Sequence, residues 1–227
     1  KNQVNTCMDW SKFNVLELDI TNYCQAKCPL CPREDIHAQN SQKEFDNTHM
    51  NIDHFKQMLD GIPPHIERLY FCGDYGDPMM HPKIGDIIDL SVQKGLEVEI
   101  STNGALRKPE WYTKIGNQHG KQLHIVFAID GIDAQEHSKY RINVDFEKAW
   151  ANFEAFSKTK AQTSWQFILF NYNFNSVPKA MSIANQMEVR LLMLINYRPW
   201  DENRITDPNK IQQIRQWQDM ERQRWKK

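Results

Sequence analysis

Residues 15–31 read VLELDITNYCQAKCPLC, a mostly apolar run followed directly by three cysteines. The run 15–20 has the length and composition of a β-strand. Cys24, Cys28 and Cys31 follow in the order CxxxCxxC, and no fourth cysteine lies in the same segment. Iron-sulfur clusters are normally held by four thiolates, so three would leave one iron with an open position for a substrate or cofactor. The segment therefore predicts a cluster that takes part in chemistry.

Two different roles for these cysteines remain open. With His37 they could form a closed tetrahedral zinc site, or they could be partly buried structural thiols. A disulfide framework is not expected. The chain has five cysteines, of which Cys7 and Cys72 lie far from the others, and 227 residues do not need covalent staples to fold.

The composition is that of a single domain over residues 1–227. With 40% hydrophobic and 25% charged residues, the chain suits an α/β barrel that need not be divided. No apolar run approaches the length of a membrane span, and the N-terminal KNQVNTCMDW lacks the apolar stretch of a secretory signal. We therefore expect a cytoplasmic protein with reduced thiols and no membrane association. A net charge of −1 makes nucleic acid an unlikely partner.

The chain repeats one pattern, in which a short β-branched or apolar run precedes a longer segment of helical period. The predicted strands are 15–20, 66–72, 96–102, 124–130, 165–170 and 190–196. The predicted helices are 52–60, 82–94, 109–118, 146–158, 177–187 and 208–224. Six βα units over residues 12–200, with the cysteine loop at 21–34 and a C-terminal helix within 207–227, predict a parallel sheet. An open doubly wound sheet and a barrel both satisfy this pattern.

Three further motifs stand at the ends of predicted strands, where α/β barrels place their chemistry. They are FCGDYGDPMMHP at 71–82, STNG at 101–104, and AIDG at 128–131 continuing to EHSKYR at 136–141. Each is also compatible with an ordinary structural role when taken alone. The first two are turn signals, and Arg141 could form a surface salt bridge. Cys72, within the first motif, is expected to be a small core residue.

Together, the cysteine segment and these motifs resemble the signature of the radical S-adenosylmethionine (radical SAM) superfamily. The stretch 128–141 is similar to the branch that includes anaerobic sulfatase maturases and SPASM-domain enzymes. The resemblance implies an α/β fold, the partial (β/α)6 TIM-like barrel of the radical SAM core. It also implies a [4Fe-4S] cluster on Cys24, Cys28 and Cys31, with SAM chelating the open iron.

The resemblance also assigns contacts to SAM. The glycine-rich motif matches GxGEP, which approaches the SAM ammonium, with Asp77 in place of the usual glutamate. The STNG segment matches the one beside the ribose, and the backbone near Leu30 matches the adenine contact. Arg141 matches the arginine that binds the SAM carboxylate, while Ala128 replaces a serine that commonly shares this contact. The expected SAM-binding residues are Leu30, Gly73, Gly76, Asp77, Pro78, Ser101, Thr102, Asn103, Asp130 and Arg141.

The implied activity is reductive cleavage of SAM by an oxidoreductase- or transferase-type enzyme. An external low-potential donor of flavodoxin or ferredoxin type would supply the electron. The products would be methionine and a 5'-deoxyadenosyl radical that abstracts hydrogen from a substrate, with a peptide side chain or a small metabolite favoured. No catalytic acid, base or radical-quenching residue is assigned. Residues beyond the strands that could meet the substrate are Tyr75, Asn171, Tyr172, Tyr197 and Arg198.

Two alternatives to this activity remain open. An RNA-modifying enzyme on the same core would account for the C-terminal ERQRWKK, although Ile211, Ile214, Trp217 and Met220 suggest that this helix packs on the barrel. A non-catalytic iron-sulfur or zinc module would bind no SAM. No cysteine follows Cys72, so one cluster is expected and the auxiliary-cluster domain of the related branch is not.

Overall fold

The computed structural model describes residues 12–33 and 47–226. The strands are β1 (Val15–Glu17), β2 (Arg68–Phe71), β3 (Glu97–Thr102), β4 (Leu123–Ala128), β5 (Gln162–Leu169) and β6 (Arg190–Ile195). The helices are α1 (Ile52–Gly61), α2 (Ile84–Gln93), α3 (Pro109–His119), α4 (Ala134–His137), α5 (Phe146–Ser157), α6 (Val177–Gln186) and α7 (Pro208–Arg224). Each predicted strand and helix has a counterpart, although β1 is shorter than predicted. The short helix α4 was not predicted.

The spatial order of the strands is their order along the chain, β1-β2-β3-β4-β5-β6, and all neighbours are parallel. A doubly wound sheet would reverse this order at a switch point. The doubly wound alternative is therefore wrong. Crossovers of one hand place successive helices on the same face of a sheet, which gives the architecture of an incomplete barrel. The predicted α/β fold is confirmed.

The two faces of the sheet differ in polarity. In β3, Val98, Ile100 and Thr102 are buried on one face, whereas Glu97, Glu99 and Ser101 on the other are partly or fully exposed. The interior of a closed barrel is filled by branched apolar side chains. Here the corresponding face carries polar contacts, such as the bond between His124 Nε2 and Ser164 Oγ at 2.8 Å. The incomplete barrel thus leaves a polar concave face.

The opposite face packs against aromatic side chains of the helices. Phe127 of β4 contacts Tyr112 of α3 and Phe153 and Phe156 of α5, with ring centroids 5.4 to 5.9 Å apart. All four side chains are fully buried. Burial of each such ring contributes about 1.5–3 kcal/mol, so this cluster anchors α3 and α5 to the middle of the sheet.

Helix α7 covers the open edge of the sheet at β6. Glu221 Oε1 accepts from the Leu191 N–H at 2.9 Å, and Gln218 Nε2 donates to the Met193 carbonyl at 2.8 Å. Arg224 donates to Val189 O at 2.6 Å. These side chains satisfy backbone groups that would otherwise be open to pairing with another strand.

The apolar face of α7 is close to the prediction. Ile214 is fully buried, and Ile211 and Trp217 are partly buried against the core, but Met220 is exposed. The prediction for Met220 is wrong because Glu221 and Gln218 occupy the contact with β6 at that end of the helix. None of the helices in the described ranges is both long and apolar enough to traverse a bilayer.

Replacing Glu221 by alanine should destabilise the protein by about 1–3 kcal/mol, because the buried Leu191 N–H loses its acceptor. The midpoint of urea unfolding measures this loss. Asp219→Ala on the same helix is the matched control, since Asp219 forms only an exposed pair with Arg222 and should cost less than about 0.5 kcal/mol. Equal losses of stability in the two variants would contradict the proposed role of Glu221 as the acceptor for the Leu191 N–H.

Candidate functional site

A cavity opens at the carboxyl ends of the strands and brings most of the predicted site residues together. The predicted residues in its wall are Cys24, Cys28, Cys31, Gly73, Gly76, Asp77, Ser101, Thr102, Asn103 and Arg141. Leu30, Pro78 and Asp130 lie outside this wall. The cavity thus joins the cysteine segment to the ends of β2, β3 and β4.

The three cysteines of this cavity are free thiols, with Cys28 buried and Cys24 and Cys31 partly buried. Burial, and secondarily the Asp77 carboxylate, raises the pKa of Cys24 to about 12, and burial raises the pKa of Cys28 as well. Without metal these two thiols are therefore neutral. Binding of a metal must displace their protons, which couples metal affinity to pH.

The spacing of the three sulfurs favours a cluster over a single metal ion. Tetrahedral zinc with Zn–S bonds of about 2.3 Å would hold its sulfurs roughly 3.8 Å apart. Among the residues that the structure describes, the three Sγ atoms do not all lie within 4.8 Å of one another. His37, the fourth ligand considered for zinc, lies outside the described residues. Zinc would therefore require the three thiols to move closer together, whereas three thiolates are the donor set of a cluster with one open iron.

The glycine-rich motif packs directly against the segment that leads into the cysteines. A Cβ atom on Gly76 would lie 2.4 Å from the Thr21 carbonyl oxygen and 2.7 Å from the backbone of Asn22. The Asp77 N–H donates to the Tyr23 carbonyl at 2.8 Å. Gly73 has φ of 74°, a conformation that side chains other than glycine rarely adopt. The motif therefore fixes the cysteine segment by close backbone contact.

The Asp77 carboxylate is fully buried and engaged by protein donors. It accepts from Met79 N at 2.9 Å, from Thr102 Oγ1 at 2.9 Å and from Asn103 N at 2.8 Å. Asn103 Nδ2 donates to the same group at 2.5 Å. Burial raises the pKa of Asp77, although these hydrogen bonds oppose the shift. The carboxylate thus ties the end of β2 to the end of β3.

Ser101 and Thr102 point to opposite faces at the end of β3. Ser101 Oγ lies on the concave side, 3.0 Å from Tyr70 OH, whereas Thr102 is buried and donates to Asp77. Of the two hydroxyls, Ser101 is therefore the one on the polar face of the sheet. Tyr70, which sequence reasoning did not select, also lines the cavity.

Arg141 is held by a buried ion pair rather than by a surface salt bridge. Its Nε donates to Asp130 Oδ2 at 2.6 Å, and its Nη1 lies 3.8 Å from Cys28 Sγ. Burial alone would lower the pKa of Arg141, but the Asp130 carboxylate and the other groups around it together raise the pKa by more, so the guanidinium stays charged. Asp130 Oδ1 also accepts from Ile168 N at 2.6 Å, which links the pair to β5.

His137 of α4 supports the same pair as a neutral group. Its Nδ1 accepts from the Asp130 backbone N–H at 3.3 Å. Burial and the nearby charge of Arg141 lower the pKa of His137 to about 4. A charged imidazole would repel Arg141, so its neutrality preserves the cationic centre on the cavity wall.

Residues 18–176 match the Radical SAM superfamily, which is most of the chain. The chain belongs to the radical SAM superfamily. The family resemblance seen in the sequence is therefore confirmed, and enzymes of this superfamily use SAM and an iron-sulfur cluster.

Two curated relatives of this radical SAM chain are named for cofactor modification and for heme synthesis. The tungsten-containing aldehyde ferredoxin oxidoreductase cofactor-modifying protein of Pyrococcus furiosus is 22% identical over 201 residues, covering 85% of this chain and 54% of that protein. The AdoMet-dependent heme synthase of Nitratidesulfovibrio vulgaris is 30% identical over 124 residues, covering 54% of this chain and 31% of that protein. The radical SAM chain thus spans about half or less of their lengths.

Solved structures of Streptococcus suis SuiB share the fold. The complex with S-adenosylmethionine has a TM-score of 0.69 at 13% identity, covering 93% of this chain and 48% of SuiB. The complex with the precursor peptide SuiA has a TM-score of 0.72 at 12% identity, covering 93% and 46%. At this identity the likeness establishes the radical SAM barrel and nothing finer.

Cys72 corrects one expectation about this radical SAM chain. It is not a core residue, because it lies on the concave face, lines the cavity and faces Asp19 Oδ1 at 3.7 Å. Burial raises the pKa of Cys72 to about 12, and the neighbouring carboxylates of Glu17 and Asp19 add to the effect. Like Cys24 and Cys28, this thiol is therefore neutral in the absence of metal.

The candidate substrate residues fall into two groups. Tyr75 and Tyr197 are exposed beyond β2 and β6, and the partly buried Arg198 lies over the Trp200 ring. Asn171, which is also exposed, and Tyr172, which is partly buried, make contacts within the chain, since Asn171 Nδ2 donates to Arg204 O at 2.8 Å and Tyr172 stacks on Phe170. Residues that sequence reasoning missed at the cavity are Arg33, Asp74 and Gln166, of which Gln166 follows from the two-residue period of β5.

Replacing Gly76 by alanine should reduce iron uptake by the radical SAM chain several-fold, because the new methyl group collides with rigid backbone of the cysteine segment. Iron per chain after anaerobic reconstitution measures this effect. The matched control is Gly85→Ala, where a Cβ meets no atom within 4 Å. Normal iron uptake by Gly76→Ala would show that this contact does not position the cysteines.

Proposed function

We propose that this chain is a radical SAM enzyme with one [4Fe-4S] cluster on Cys24, Cys28 and Cys31. Together with SAM, the bound cluster supplies a 5'-deoxyadenosyl radical, with release of methionine, for abstraction of hydrogen from a substrate. The observation that carries the proposal is that one cavity joins the three features a SAM site needs. Three thiols, a buried arginine and the glycine-rich motif share its wall.

The residues around the cavity suit the two charged ends of the amino-acid part of SAM. Arg141 provides a cation on one side, and because Asp130 occupies its Nε, Nη1 and Nη2 carry the donors available to a carboxylate. Gly73 and Gly76 leave backbone groups accessible to an ammonium group, since no side chain shields them. Ser101, on the concave face beyond them, offers a hydroxyl for the ribose.

The adenine side of SAM is assigned to the backbone near Leu30, with Pro78 shaping the turn that holds the glycine-rich motif. Pro78 begins a short 3-10 turn over Pro78–Met80, and its ring would be 3.1 Å from a Cβ on Gly73. Its contribution to SAM binding is therefore through the loop rather than by contact. Leu30 is partly buried in the cysteine segment.

The substrate is proposed to enter along the polar concave face. Tyr70, Asp74 and Gln166 line the cavity beside the cysteines, which suits a polar substrate better than a purely apolar one. SuiB has been solved with a precursor peptide, and the curated relatives are named for cofactor modification and heme synthesis, so a peptide side chain and a small metabolite are both proposed as substrates. A flavodoxin- or ferredoxin-like donor would reduce the cluster, and the free thiols suit a reducing cytoplasm.

RNA modification is less well supported. Arg224 and Trp225, which suggested it, both bond to Glu221, with Trp225 Nε1 at 2.9 Å from Oε1 and Arg224 Nε at 3.0 Å from Oε2. These side chains therefore have a structural use at the edge of the sheet.

The cluster assignment predicts about four irons per chain after anaerobic reconstitution, with a spectrum that changes on addition of SAM. With dithionite the loaded protein should release 5'-deoxyadenosine. Alanine at Cys24, Cys28 or Cys31 should abolish both the iron and the product. Cys72→Ala is the matched control and should keep its iron, since that thiol follows β2 and lies outside the cysteine segment. Tight binding of one zinc with no response to SAM would refute the assignment and favour a non-catalytic module.

Arg141→Ala should raise the dissociation constant for SAM about 10-fold to 100-fold, because a hydrogen bond to a charged group is worth roughly 1.5–3 kcal/mol. Isothermal titration calorimetry on cluster-loaded protein measures it. Arg141→Lys should recover only part of the affinity, because a lysine lacks the planar two-point contact.

The control for this substitution is Arg68→Ala, which removes an arginine paired with Glu97 outside the cavity wall. Thermal unfolding of the same samples separates loss of SAM contact from loss of fold, since Asp130 loses its partner in Arg141→Ala. Unchanged SAM affinity in folded Arg141→Ala would rule out the contact.

A further inference from the structure

Asp77 and Asn103 form a buried pair between the ends of β2 and β3. Both side chains are nearly inaccessible, with 4% and 5% exposure. Asp77 Oδ2 accepts from the backbone N–H of Asn103 at 2.8 Å and from its side-chain Nδ2 at 2.5 Å. Asp77 thus accepts hydrogen bonds from both the main chain and the side-chain amide of Asn103.

The orientation of the Asn103 amide is fixed by its partners. Oδ1 accepts from the Ala105 N–H at 3.1 Å and from Gln25 Nε2 at 2.8 Å. Nδ2 donates to Asp77, which can only accept when ionised, and lies 3.3 Å from Gln25 Oε1. If the amide were flipped, its NH2 group would face the Ala105 N–H and Gln25 Nε2, which are themselves donors. The NH2 group of Asn103 therefore faces Asp77 and Gln25, and its Oδ1 faces the Ala105 N–H.

The first cysteine of the motif lies on the same side of the amide. Asn103 Nδ2 is 3.9 Å from Cys24 Sγ, so a hydrogen of the NH2 group is shared between this sulfur and a nearer oxygen acceptor. Arg141 Nη1 approaches Cys28 in the same way at 3.8 Å. Hydrogen bonds to cluster sulfurs are one of the means by which a protein sets the reduction potential. They stabilise the reduced state because it carries the larger negative charge.

We propose that Asp77 is a positioning residue that holds the Asn103 amide against Cys24, and that this contact raises the reduction potential of the cluster bound there. The inference rests on the proposed function, since it requires the cluster. It gives Asp77 a task different from the ammonium contact implied by the family resemblance. Met79, Thr102 and Asn103 already supply donors to both carboxylate oxygens.

The first test removes the amide. Asn103→Ala should make one-electron reduction of the cluster about tenfold less favourable, a negative shift of about 59 mV in the midpoint potential. The measurement is a redox titration of reconstituted protein followed by electron paramagnetic resonance, without SAM, so that loss of a SAM contact cannot contribute.

The second test asks whether Asp77 acts through Asn103. Asp77→Glu keeps the negative charge, but its extra methylene moves the carboxylate away from the Asn103 amide in this buried site, which releases that side chain. The midpoint should fall, as it does in Asn103→Ala. In the double variant Asp77→Glu, Asn103→Ala the shift should equal that of Asn103→Ala alone, because the same contact has been lost and the charge is unchanged. Additive shifts would overturn the proposed order of action.

A matched control separates tuning from loosening of the loop. Asn152 is also buried and donates to Gly104 O at 2.7 Å and Leu106 O at 3.1 Å, so it supports the same loop without touching Cys24. Asn152→Ala should lower the melting temperature but leave the midpoint within about 10 mV, a small fraction of the 59 mV step. A similar shift in Asn152→Ala would overturn the proposal.

The remaining outcomes are also decisive. An unchanged midpoint in loaded Asn103→Ala overturns the inference while leaving the proposed function intact. Failure of both Asn103→Ala and Asp77→Glu to take up iron overturns it too, because a tuning contact can be removed without losing the cluster. Absence of iron in the wild-type protein would instead refute the proposed function.

Discussion

The parallel, sequential order of the six strands places every strand's carboxyl end on one rim, and the cavity depends on that constraint. Segments far apart in the chain meet there only because each strand points the same way. Cys24 comes after β1, Asn103 after β3 and Arg141 beyond β4, yet Asn103 and Arg141 each lie within 4 Å of a cysteine sulfur. The parallel sheet brings these segments to one end, and the close backbone contact at Gly76 sets the position of the cysteine segment against the glycine-rich motif.

The site contains two buried carboxylates, and each requires compensation. Removing a carboxylate from water costs several kcal/mol unless it is paired and hydrogen-bonded. Asp130 is compensated by Arg141 and the Ile168 N–H, and Asp77 by backbone and side-chain donors at the end of β3. Such pairs add little net stability compared with apolar packing. Their value here is geometric, because each one fixes a nitrogen donor beside a thiol.

Much of this arrangement follows from the sequence, and the reasons for the exceptions are physical. Hydrophobic periodicity located all six strands, and the motif order placed the cysteines and Arg141 at one end of the sheet. Sequence could not show that the Asp77 carboxylate turns towards β3, because the direction of a side chain depends on donors that only the fold assembles. Cys72 was expected in the core because free cysteines are among the most buried residue types. An incomplete barrel has a solvent-accessible inner face, and Cys72 lies on it.

Because α7 covers the edge strand β6, its docking bears on how the protein aggregates. Within the described residues, backbone groups at this edge are satisfied by side chains of α7 and not by a further strand, so their protection depends on that helix staying docked. An uncovered strand edge is a template for pairing with another molecule. Leu194 is already exposed on this strand, which adds apolar surface to the template. Detachment of the last helix, rather than global unfolding, is therefore expected to produce the first species that aggregates during expression or storage.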